Sequence, residues 1–70
     1  MGNLESDHLI LKFEKALKEK FSLFFDVDEF EVIINYYLED DNSKEANAAL
    51  RIAEQQHPNT VSLQIKRAEL

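Results

Sequence analysis

Residues 27–60 read VDEFEVIINYYLEDDNSKEANAALRIAEQQHPNT. Two apolar patterns lie in this stretch, separated by a polar turn. Phe30, Ile33, Ile34, Tyr37 and Leu38 recur at i, i+3, i+4, i+7 and i+8, the stripe of an amphipathic helix over about 27–39. Ala46, Ala49, Leu50 and Ala53 form a second stripe over 43–56, with Ile52 to one side. Alanines on that face allow the two helix axes to approach towards the 8 Å end of the packing range. The connection Glu39-Asp40-Asp41-Asn42 is short, so the two helices are antiparallel neighbours.

The ends of these helices are marked. Asp26 is placed as an N-cap, and Glu29 three residues on completes a capping box. Phe25 and Phe30 occupy the two staple positions around that cap. Asn42 or Ser43 caps the next helix, with Glu45 set for a box with Asn42. His57-Pro58 stops it, because proline disfavours helical geometry at the residue before it.

Outside this hairpin, a first helix is expected from Glu5 or Ser6 to Phe21. Its stripe is Ile10, Phe13, Leu17, Phe21 and Phe24, with Leu9 and Ala16 alongside. Lys12, Lys15 and Lys18 fall off the stripe and read as a wet helix face. Residues 1–4 are expected to fray. A fourth helix, 61–70, begins after Asn59 or Thr60 and carries Val61, Leu63, Ile65 and Ala68 as its apolar positions. The chain ends inside that pattern, so Leu70 is expected to be a cut within a longer helical array, with a C-terminal helix prone to self-association.

Composition agrees with an all-α fold. Seventy residues make one small domain, which buries only about 60% of its unfolded surface. There is no cysteine to staple it, and one Gly and one Pro leave little turn material for a β-protein. The net charge is −6, which argues against nucleic acid or an anionic membrane as partner. No apolar run approaches the roughly 18 residues of a membrane span, and Met1–Glu5 lacks the features of a signal peptide. These readings lean towards a cytoplasmic protein.

The charge is unevenly placed. Residues 1–24 hold four acids and four lysines, while residues 25–45 hold eight acids and only Lys44. Capping accounts for Asp26, Glu29 and Asp28. It does not account for Glu31, nor for Glu39, Asp40 and Asp41, which oppose the dipole at a helix C-terminus. Glu31, Asn35 and Glu39 are spaced four apart on one face, with Tyr36 beside it. Tyr37 belongs to the core stripe and needs a partner for its hydroxyl.

No catalytic constellation is visible. The two histidines, His8 and His57, are far apart, and neither has a second ligand at i+3 or i+4. His57 reads as a helix-end residue. No enzyme activity, metal or cofactor is expected.

The spacing Phe30, Ile33, Tyr37, Ala46, Leu50, Ala53, Pro58 resembles the tetratricopeptide repeat (TPR), whose unit is 34 residues. Ile34 departs from the family pattern, which takes a small residue there. Moving 34 residues on, Ala68 suits its slot, while Gln64 and Arg67 do not. Moving 34 back yields no match. The resemblance therefore implies one full unit at 27–60, the first helix of a truncated next unit at 61–70, and residues 1–26 as an N-terminal capping helix and connection. It implies a right-handed superhelical fragment that serves as a protein-interaction scaffold. Its concave face would be lined by Asp28, Glu31, Asn35 and Glu39, with Tyr36 flanking. One TPR subclass clamps a peptide carboxylate with a Lys and then an Asn four residues later. Here Glu31 precedes Asn35, so that clamp is not expected, and a Lys- or Arg-rich segment suits the face better. The competing expectation is a structural cap of a longer solenoid, with no ligand of its own.

Overall fold

The structure, a computed structural model, describes residues 4–20 and 23–70. It is all-helical: α1 (Leu4–Glu19), α2 (Val27–Glu39), α3 (Ser43–Gln56) and α4 (Val61–Glu69), with no strand among the described residues. α2 and α3 form the most extensive pair, and α1 packs on α2 and α4 on α3.

The core is the sum of the two predicted stripes. Phe30, Ile33, Ile34 and Tyr37 of α2 meet Ala46, Ala49, Leu50 and Ala53 of α3, all buried. Ile10 and Phe13 of α1 close one side and Leu63 of α4 the other. Phe13 reaches both Phe25 and Tyr37, with ring centroids 6.2 and 6.3 Å away. The Phe25–Phe30 staple is present as an edge-to-face pair at 5.4 Å, a favourable geometry for two aromatic quadrupoles.

Helix ends follow the sequence with instructive exceptions. The capping box of α2 is formed, and Glu29 Oε1 accepts from the Asp26 backbone N–H at 2.8 Å. α2 stops in a Schellman motif. The Asn42 N–H donates to the Tyr37 carbonyl at 2.8 Å and the Asp41 N–H to the Leu38 carbonyl at 3.2 Å. The motif needs a left-handed residue, and Asp41 supplies it at φ 54°. This closure uses up the Asn42 N–H, so the expected Asn42–Glu45 box is only half made. Asn42 Oδ1 accepts from the Glu45 N–H at 3.3 Å, and the return arm has no free donor. Thr60 stands at the N-cap of α4, but its hydroxyl donates backwards to the His57 carbonyl at 2.9 Å.

α1 ends at Glu19, two residues earlier than expected, where Lys20 turns left-handed at φ 59°. Phe21 lies outside the described residues. Leu17 and Phe24 were expected on the buried stripe, yet they are 37% and 70% exposed. The helical period no longer applies to Phe24 once the chain has left α1, and its ring lies instead against His57, centroids 5.1 Å apart.

Two side chains from the end of α3 hold the 23–25 connection. Gln56 Oε1 accepts from the Phe25 N–H at 3.1 Å, and Gln56 Nε2 donates to the Leu23 carbonyl at 2.7 Å. His57 Nε2 lies 2.6 Å from the Phe25 carbonyl. These bonds satisfy backbone groups that have no helical partner.

Candidate functional site

α2 presents its outward face along Asp28, Val32, Asn35 and Glu39, as the helical period requires when Phe30, Ile33, Ile34 and Tyr37 are buried. Asp28, Asn35 and Glu39 are exposed and Glu31 is half-buried. Tyr36 is 42% exposed and stands edge-on to Tyr37 at 5.2 Å. The face thus joins the five side chains singled out from sequence, along with an exposed aliphatic, Val32, that sequence reasoning left out.

Its electrostatics are one-sided. Asp28, Glu31 and Glu39 make no ion pair among the described residues, where the ion pairs are Lys66–Glu69 and Arg67–Glu54. Three carboxylates without an ion-pair partner among the described residues leave a net negative potential over the half-exposed Val32 and Tyr36.

One cation does reach this face, and it comes from α4. Lys66 Nζ donates to Asn35 Oδ1 at 2.7 Å. Asn35 is therefore already engaged through its oxygen, while its amide nitrogen is by chemistry a donor. Lys66 was not singled out from sequence. The available signal is the 34-residue period, which sets Lys66 level with Val32, one turn from Asn35.

Arg67 makes the second α4 contact, a bidentate pair with Glu54 of α3 at 2.7 and 2.8 Å. The hydrogen bond from Arg67 holds the Glu54 carboxyl below its ordinary value. On the opposite side of the molecule, Tyr37 sends its hydroxyl to Glu14 of α1, donating to Oε2 at 2.7 Å. Burial, followed by that bond, pushes the Tyr37 phenol well above the ordinary tyrosine range.

Among the described residues no group of three or more His, Cys, Asp or Glu side chains is placed to hold a metal. No helix of the described residues is long and apolar enough to cross a membrane. A groove of about 450 Å³ between α1, the 23–25 connection and α3 is lined mainly by Phe13, Leu17, Phe24 and Ile52.

Comparison of the chain with protein-family models, curated proteins and solved structures found no match. The face is characterised by its own chemistry: carboxylates, one amide bonded to Lys66, and the half-exposed Val32 and Tyr36 on one helix.

Proposed function

We propose that this chain is a TPR-like interaction module that takes a basic peptide or protein segment on the outward face of α2. The observation that carries the reading is the set Asp28, Glu31 and Glu39, unpaired among the described residues beside the exposed Val32 and Tyr36. Acids attract a Lys- or Arg-rich segment and set its register. Tyr36 and Val32 cover the aliphatic stems of such side chains, and the Tyr36 ring adds a cation–π surface.

The repeat resemblance supports the same reading. Of the residues in its signature slots, Phe30, Ile33, Tyr37, Ala46, Leu50 and Ala53 are core residues of the α2–α3 pair, and Pro58, exposed, follows the end of α3. Ile34, which departs from the pattern, is wholly buried.

Titration of a Lys/Arg-rich peptide at low salt tests the proposal. Each exposed pair contributes about 0–1 kcal/mol, so binding is modest and weakens as salt is added. Glu31→Lys and Glu39→Lys each weaken it further. Equal binding by the variants, or affinity indifferent to salt, refutes the reading.

The second reading is a structural cap of a longer helical solenoid. The exposed Val61 and Ile65 of α4 favour it, since a further helix would cover them. A cap without a ligand of its own gives no peptide binding in the same titration.

A further inference from the structure

α4 is the shortest helix, with nine residues, and it buries one side chain, Leu63. Its inward face adds two polar contacts, Lys66 to Asn35 and Arg67 to Glu54, both between exposed or half-exposed side chains. Leu63, Lys66 and Arg67 stand at i, i+3 and i+4, a single face that recognises its seat on α2 and α3. The opposite face carries Val61, 66% exposed, and Ile65, 55% exposed.

The link to α4 is short. His57 is tied to Phe25 and its ring lies between Phe24 and Phe30, so the pivot is reduced to Pro58, Asn59 and Thr60. Asn59 sits at φ 66°, the left-handed region that Asn adopts more readily than most non-glycine residues, and it turns the chain between α3 and α4. Pro58 bars α3 and α4 from fusing into one helix and favours an extended link.

We propose that α4 is an exchangeable helix: it leaves its seat, and the seat takes the α4 of a second copy in a reciprocal dimer. The second copy is the occupant because the seat is already matched, side chain for side chain, to Leu63, Lys66 and Arg67. Every contact broken in one chain is remade between two. The closed and exchanged forms then differ in the Pro58–Thr60 link and in the entropy of association, so concentration sets the balance. A link as short as Pro58–Thr60 between the exchanging helix and its seat makes exchange of an identical element a low-cost route to a dimer. This inference does not rest on peptide binding by the α2 face, with which the seat shares only Asn35.

A charge-swap experiment tests it. Glu54→Arg alone and Arg67→Glu alone each place like charges together within a closed chain. In an equimolar mixture, exchange seats the Arg67→Glu helix on the Glu54→Arg surface and the unsubstituted helix on the unsubstituted surface. Both clashes vanish. Light scattering is expected to show a species of twice the chain mass in the mixture, with a dissociation constant lowered on the order of tenfold or more relative to either variant alone. A mixture that stays at monomer mass up to about 1 mM overturns the proposal. So does a wild-type dimer that is lost with Val61→Ser and Ile65→Ser while the mixture shows no enhancement, because that dimer is joined face to face. If far-UV circular dichroism shows either charge variant unfolded, deletion of Asn59 from the wild-type chain decides. A shortened link prevents folding back and drives the chain to a dimer, and a folded monomer after the deletion refutes exchange.

Discussion

His57 Nε2 lies 2.6 Å from the Phe25 carbonyl oxygen, which can only accept, so the ring carries its proton on Nε2. The bond spans 32 positions and joins the end of α3 to the residue before the α2 cap. With the two bonds from Gln56, it clips the 23–25 connection onto the hairpin.

That clip gives the first prediction. Gln56→Ala removes both partners of a backbone N–H and C=O that are partly buried, at a cost of about 1–3 kcal/mol. Gln55→Ala, one residue away and exposed, costs less than about 0.5 kcal/mol. Urea melts of the two variants check the contrast. Equal stabilities mean that the clip contributes nothing.

Tyr37 and Glu14 predict an alkaline limit. The Tyr37 phenol is raised in the folded chain, so its neutral form belongs to the native state. Below pH of about 10, the unfolded tyrosine value, its contribution is fully present. Above that, the unfolded chain loses the proton first, and stability falls by at most about 1.4 kcal/mol per pH unit. Tyr37→Phe abolishes this component. Denaturant melts of both proteins between pH 8 and about 11 read the difference. Parallel curves would show that Tyr37 ionises equally in both states.

Asp41 is a non-glycine residue in the left-handed well at the Schellman turn, and it places a negative charge at the C-terminal end of α2. Asp41→Gly removes the steric cost and the charge together, and is expected to raise stability by about 0.5–1 kcal/mol. Asp41→Val, β-branched in the same conformation, lowers it. The urea midpoint reports both changes.

Three of the four buried residues on the α3 side of the α2–α3 contact are alanines, which permits a close approach. Ala53 is fully buried, so Ala53→Leu overpacks and costs about 1–3 kcal/mol. Phe30→Ala opens a cavity at the centre of the hairpin and costs about 3–5 kcal/mol. A neutral Ala53→Leu in urea melts would contradict the close approach.

What sequence determined by itself is most of what repeats with the helical period or acts within one turn, the half-made Asn42–Glu45 box and the exposed Leu17 excepted. The bounds of α2 and α3, their buried stripes, the Asp26–Glu29 box and the Phe25–Phe30 staple follow from neighbours three or four residues apart, where local geometry leaves little choice. The shared face of Asp28, Glu31, Asn35 and Glu39 was legible for the same reason. Tertiary structure alone decided the pairings across long sequence separations. Glu14 as the partner of Tyr37, the backbone clip by Gln56 and His57, and Lys66 on Asn35 span 23 to 33 positions. No local pattern encodes these pairings, because which exposed polar side chain meets which depends on how the helices cross. The same holds for Phe24, left at the surface because α1 ends before the period can turn it inward, and for Leu17, which lies within α1 yet lines the open groove beside Ile52.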